Sequence, residues 1–289
     1  MAGTIRNPIE WGYDQLHHLA DGFGAGGRAL GRIPDALHSA VPVVTRIGVA
    51  DIRDALKRGY EDFGACRTDV IFLCAFYPIV GFIAWRAVFG AGMLPLLFPL
   101  AAGFALLGPL AAVGLLEISR QREQGCEVSW ATAFDVLHSP SLGAIALLGF
   151  TLMMIFFAWI LSAELIYGLT LGPAQPASLR DFMQAVFTTE RGWTMIVVGM
   201  GVGFLFAVLV LAISVVSFAL LLDRVAGIDT AIRTSVRVVT ANPGTMALWG
   251  LVIAGGLVLG SLPLFVGLVV IMPLLGHATW HLYRKAVWP

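Results

Sequence analysis

The chain has 289 residues, of which 58% are apolar and only 12% charged, and its mean hydropathy is +0.85. A soluble domain carries about a quarter charged residues, so this composition excludes a water-covered globule and points to lipid as the main solvent. The zero net charge argues against a nucleic-acid partner.

Taken in chain order, residues 1–45 read as a cytoplasmic tail. In "RNPIEWG", Asn7, Pro8 and Glu10 stand at the N-cap, N1 and N3 positions of a short helix, with Ile9, Tyr13 and Leu16 free to touch the membrane. "DGFGAGGRALG" follows as a flexible linker. The first 68 residues contain no apolar run of the length a secretory signal needs. The three cysteines, Cys66, Cys74 and Cys126, suggest reduced thiols rather than a disulfide framework.

Residues 46–289 read as an all-α, polytopic transmembrane bundle with six spans. A bilayer core needs about 20 apolar residues per helix. Spans are expected at Val70–Phe89, Met93–Leu116, Leu142–Leu171 and Met195–Leu222, and a final apolar run divides at Pro263 into Met246–Gly260 and Leu264–Leu282. Before spans 1, 3 and 5 stand three similar amphipathic segments with expected N-caps at Asp51, Ser129 and Asp229. Their apolar stripes are Val49, Ile52, Leu56, Tyr60 and Phe63; Trp130, Phe134 and Leu137; and Ile228, Ala231, Ile232, Ser235 and Val239. Each unit is an interfacial helix plus a transmembrane hairpin, giving three parallel repeats at about residues 46–117, 125–223 and 226–285. Between spans 3 and 4, residues 178–189 read as a short amphipathic helix with Leu179, Phe182, Met183 and Val186 on one side. In span 4, the Gly199…Gly203 spacing reads as a close helix contact.

Fifteen of the eighteen Lys and Arg residues fall in the segment before span 1, the 2–3 and 4–5 connections and the C-terminus. Arg86, Arg180 and Arg191 fall to the other side. The positive-inside bias places both termini in the cytoplasm.

Three groups of residues could carry chemistry. His277 and His281 share one face of the last helix, and with Trp280, Tyr283, Arg284, Lys285 and Trp288 they read first as membrane-interface anchors. If the repeats pack around an axis, Glu117 and Asp223, at matching ends of spans 2 and 4, would converge on the two imidazoles to hold a divalent metal or a proton relay. Arg86 and Glu164 are charges within spans at similar depth, and a mutual ion pair is expected. There is no P-loop, nucleophile elbow, metalloprotease motif or dinucleotide fingerprint. The reading is therefore a protein without catalysis or cofactor, whose partners are the lipid bilayer and the subunits of a larger membrane complex. The alternative is a transporter or channel for a small solute, using a vestibule at the ends of spans 2, 4 and 6.

"RNPIEWG", "RTDVIFLCAFYP", "LPLLFPLAAGFALLGP", "SRQREQG", "VSWATAF", "FTTERGW", "LLLDR", "ANPGTMALWG" and "GHATWHLYRK" together resemble the uncharacterised bacterial membrane family DUF2189. The resemblance implies a bacterial inner-membrane location and a helical transmembrane fold, and supplies no activity. A likeness to cytochrome oxidase catalytic subunits, which some family names suggest, fits poorly. Haem and copper need several histidines within the bilayer, and His17, His18, His38 and His138 lie outside the spans.

Overall fold

The computed structural model describes residues 42–65, 94–172, 176, 178–263 and 265–288, with the single positions Ile79, Phe82 and Arg86. The expected N-terminal helix, the glycine linker and most of span 1 lie outside the described residues. The helices are α1 (Val49–Ala65), α2 (Leu97–Ala111), α3 (Val113–Glu123), α4 (Leu142–Thr170), α5 (Leu179–Thr188), α6 (Glu190–Ser214), α7 (Ser217–Asp223), α8 (Ile228–Ala241), α9 (Pro243–Ser261) and α10 (Leu268–Ala286). Leu94–Leu96 and Trp130–His138 form 3-10 helices. Among the described residues the sole extended pairing is one antiparallel bridge, Val44 with Val287.

Among the described residues, four helical stretches are long and apolar enough to cross a membrane: Phe98–Glu123, Leu142–Thr170, Glu190–Asp223 and Pro243–Ser261. They match the expected spans 2 to 5. Two of them are bent, each for a local reason. Pro109 deprives α2 of a ladder hydrogen bond, and the helix breaks at Ala112 before continuing as α3. Between α6 and α7, Ser214 and Ser217 donate back to the carbonyls of Val210 and Ile213, a bonding mode that bends helices. The α4 helix is apolar outward: Phe150, Phe157, Leu161, Leu165 and Leu169 are exposed at helical spacing, as lipid contact requires. Its other side carries Trp159, whose indole donates to the Pro99 carbonyl at 2.9 Å and stacks obliquely on Phe206. Gly203 faces that indole, while Gly199 faces open space. Gly203 thus marks an aromatic seat, and among the described residues no helix crosses at Gly199.

The turn after α9 falls at Pro263 as expected, with Phe265 in the left-handed region at φ 66°. The hairpin closes tightly enough that a Cβ on Gly267 would meet the Gly260 carbonyl at 2.8 Å. The returning helix starts at Leu268 and ends at Ala286, later than the expected Leu264–Leu282. Its second half is polar, so it is not among the four apolar helices. It is instead largely enclosed, packed against α1, α3, α7 and α9.

The amphipathic segments form helical elements, but with rotated faces. On α1 the buried side is Ile52, Ala55, Gly59, Asp62 and Phe63, while Val49 and Tyr60 are exposed. The 3-10 helix buries Thr132, Ala133 and Val136 rather than Trp130. The α8 helix buries Thr230, Ala231, Thr234, Ser235 and Val238. In each, small residues take part in the close helix contact; of the expected stripes Ile52, Phe63, Ala231 and Ser235 are buried with them, while Val49, Tyr60 and Trp130 are exposed. Ser129 is the expected N-cap, in a capping box with Thr132. Asp51 and Asp229 lie instead within the first turns of α1 and α8, where their charge favours the helix dipole. On α5, Ser178 caps through the Asp181 N–H at 3.1 Å, Val186 is buried, and Phe182 meets Tyr167.

Candidate functional site

The chemistry-bearing residues gather where α1 lies along the C-terminal half of α10. Gly59 makes this possible. A Cβ there would stand 2.7 Å from the Ala278 backbone nitrogen, so only glycine lets the two helices touch. The approach sets Asp62, one turn further along α1, beside His277 and His281.

The resulting network can be followed proton by proton. Ser119, on α3, donates its single hydroxyl proton to Asp62 Oδ2 at 2.7 Å. Its 2.7 Å contact with His277 Nδ1 must then run the other way, with Nδ1–H donating to the serine oxygen. His281 Nε2 reaches the same Asp62 Oδ2 at 2.8 Å, and Arg122 Nη1 donates to Asp62 Oδ1 at 2.9 Å. Asp62, Ser119 and His277 are buried, and His277 Nε2 has no hydrogen-bond partner. Burial alone would raise the Asp62 pKa. The hydrogen bonds from His281 and Ser119 and the charge of His281 outweigh it and hold the carboxyl below its ordinary value.

Serine, histidine and aspartate within hydrogen-bond reach invite a hydrolase reading, but the order is wrong. A nucleophilic serine gives its proton to histidine. Here the serine stands between the other two and gives its proton to aspartate. The three side chains form a buried hydrogen-bonded relay whose outer members, His281 and Arg122, are partly exposed.

Around it lie further internal pairs. Glu117, 2% exposed, takes a two-pronged bond from Arg120 at 2.8 and 2.6 Å and another from Gln121 at 2.9 Å; Gln121 also reaches Asp135. Glu123 accepts from the Trp280 indole at 2.9 Å and from Arg284 at 3.2 Å. Asp223 accepts from the Tyr283 hydroxyl at 2.6 Å and pairs with Arg224 and Arg284 at 3.5 Å. Lys285 joins Asp51 and Asp54. The segment before α1 zips onto the C-terminus: Thr45 N–H bonds the Ala286 carbonyl, the Thr45 hydroxyl bonds that of Lys285, and Trp288 N–H bonds that of Val43. Asn242 ties the same segment to α8 through Ile47 N–H and the Thr45 and Val238 carbonyls.

The expected convergence of Glu117 and Asp223 on the histidines is therefore corrected. Each carboxylate is satisfied by its own partners, and the acid that meets the imidazoles is Asp62. Among the described residues no group of three or more His, Cys, Asp or Glu side chains is placed to hold a metal. The anchor reading of the C-terminal residues is corrected too. His277, Trp280 and Tyr283 are interior, His281 is nearly so, Arg284 and Lys285 are half-buried in ion pairs, and Trp288 alone is exposed. His281 is the wetter histidine, as its position four residues further along requires. Arg86 and Glu164 are both exposed and, among the described residues, form no ion pair with each other, so their expected pairing is absent from this structure. Asp62, Ser119, Arg122 and Glu123 were not anticipated. The available signal was a carboxylate following Ala55 and Gly59 on a small-residue face.

No curated protein and no solved structure matches the chain. The apolar helices that frame this site are those of an integral membrane protein: the family model DUF2189, described as a predicted integral membrane protein, matches residues 97–223, from α2 through α7.

Proposed function

We propose that the chain is a non-catalytic scaffold or accessory subunit of a membrane protein complex, held in a bacterial inner membrane by six spans with both termini in the cytoplasm. The observation that carries this reading is the sealed polar end of the bundle. Every carboxylate and imidazole that a solute vestibule would use is engaged by a neighbouring side chain and largely withdrawn from water. A transport pathway needs polar groups that face a solvated cavity, and these face one another. Large exposed apolar faces on α4, α6 and α9 offer contact area to lipid and to other membrane proteins. The three-unit arrangement of interfacial helix and hairpin fits the positions of α1, the 3-10 helix and α8 before successive apolar segments.

Purification from membranes in gentle detergent, with identification of co-purifying proteins, tests the proposal. A stoichiometric membrane-protein partner is expected. A monodisperse protein without partner that conducts ions or solutes in proteoliposomes would replace the scaffold reading with the transporter one.

A further inference from the structure

A cleft of about 450 Å³ lies between α2, α6, α7, α9 and α10. Its floor is buried and includes Leu106, Val210, Val215, Phe218 and Leu275. Its lip is exposed: Phe204 and Val208 on α6 and Leu251 on α9. The cleft therefore opens sideways between α6 and α9. That is possible because α9 packs on α10 and leaves α6 largely untouched.

The lining has no charged side chain. Its two hydroxyls, Ser214 and Thr279, already donate to the carbonyls of Val210 and Leu275 in their own helices, both at 2.6 Å. The relay is not part of it. Met272, Leu275, Gly276 and Thr279 present one face of α10 to the cleft, and the 3.6-residue period turns His277 and His281 toward α1 and α3 instead.

Three observations select the occupant. The lip continues the exposed apolar surface of α6 and α9, which is the lipid interface of an integral membrane protein. The uncharged, mostly apolar lining suits hydrocarbon; the polar group in it that lacks a partner is the buried Trp249 indole N–H. The cleft is too small to enclose a partner's transmembrane helix, about 30 Å long and about 10 Å across, whereas a single acyl chain is narrow enough to enter it. We propose that the cleft holds one acyl chain of a membrane phospholipid, entering between α6 and α9. The cleft reaches Phe218, Ala219 and Ala247, next to the polar end of the bundle, so the headgroup stays at the surface of that leaflet.

Photolabelling of the full-length protein tests this. The protein is placed in vesicles of phosphatidylethanolamine and phosphatidylglycerol containing phosphatidylethanolamine with a diazirine on its acyl chain, and labelled peptides are mapped by mass spectrometry. Labels are expected on the floor, at Val210, Phe218 and Leu275. In Ala254→Phe, which fills the cleft, the floor labels are lost, while Leu161→Phe on the lipid face of α4 keeps them. Labels confined to exposed positions such as Leu161, Leu165 and Val197 in the wild-type protein would overturn the proposal. So would floor labelling by a diazirine fatty acid but not by the phospholipid, and so would a protein cross-linked to the floor in native membranes.

Discussion

Asp62 accepts hydrogen bonds from Ser119, His281 and Arg122 while lying in the buried stripe of α1. Its depressed pKa has a consequence with a definite sign. The folded state holds the proton less tightly than the unfolded chain, whose Asp titrates near 3.9. The stabilisation is fully present above that unfolded value and is lost as pH falls through the lower folded one. Thermal unfolding in detergent, followed from pH 7 down to pH 3, should show an acid-side loss of stability that is reduced in Asp62→Asn. At neutral pH the same variant should be less stable by about 1.5–3 kcal/mol, the range for hydrogen bonds to a charged group. Ser119 and His277 form a second test. Ser119→Ala leaves the His277 Nδ1–H without an acceptor in a dry site and should destabilise by about 1–3 kcal/mol. His277→Leu removes the stranded group, so the double variant should lose less than the sum of the single losses. Additive losses would show that the 2.7 Å contact contributes nothing. At this scale the sequence was half legible. The four-residue spacing of the histidines put them on one helix face, and they do share the Asp62 network. Asp62 itself was hidden: the stripe of Val49, Ile52, Leu56, Tyr60 and Phe63 did include the buried Ile52 and Phe63, but an apolar stripe passes over a carboxylate that lies beside Ala55 and Gly59.

The partial miss has a physical cause. Apolar periodicity marks one side of a helix, and of the sides it marked Ile52, Phe63, Ala231 and Ser235 are buried while Val49, Tyr60 and Trp130 are exposed. The contact itself goes to the face that permits the closest approach, here Ala55 and Gly59 on α1. This face can be tested by size alone. Gly59→Leu must push α1 away from the Ala278 backbone, which a built Cβ already meets at 2.7 Å. Overpacking of a tight contact costs about 1–3 kcal/mol, and the displacement also pulls Asp62 from His281. Limited proteolysis should then cut within α1 at protease levels that leave the wild-type helix whole, whereas Tyr60→Leu, on the exposed side, should leave it protected. The α10 helix shows the complementary limit. Its basic and aromatic end resembles a membrane anchor in one dimension, and only the packing of α1, α3 and α7 around it turns Trp280 and Tyr283 into interior hydrogen-bond donors. Spans 2 to 5 were legible because a run of apolar residues identifies a lipid-crossing helix whatever surrounds it.

Across the whole molecule, charge is sorted by end. Arg120, Arg122, Arg224, Arg284 and Lys285 belong to the polar end, where α3, α7 and α10 meet. Arg180 and Arg191 lie on α5 and at the start of α6, at the opposite end of α4. Because Lys and Arg in short flanks resist translocation, this sorting supports the proposal that the polar end faces the cytoplasm. The α9–α10 hairpin makes the assignment testable. The start of α9 meets the segment before α1, where Thr245 donates to the Ile47 carbonyl at 2.9 Å, and the end of α10 meets that same segment through Thr45 and Val43. Both ends of the hairpin therefore lie at one level, so the chain that leaves the cytoplasm along α9 must return along α10. Reporter fusions after residues 125, 235 and 289 should all read cytoplasmic, and a fusion at residue 178 should read periplasmic. A C-terminal fusion on the periplasmic side would mean that α10 does not return. The zipper between Val43–Thr45 and Ala286–Trp288 could not then form in the membrane, and the buried relay, which needs α1 and α10 in the same compartment, would be lost with it.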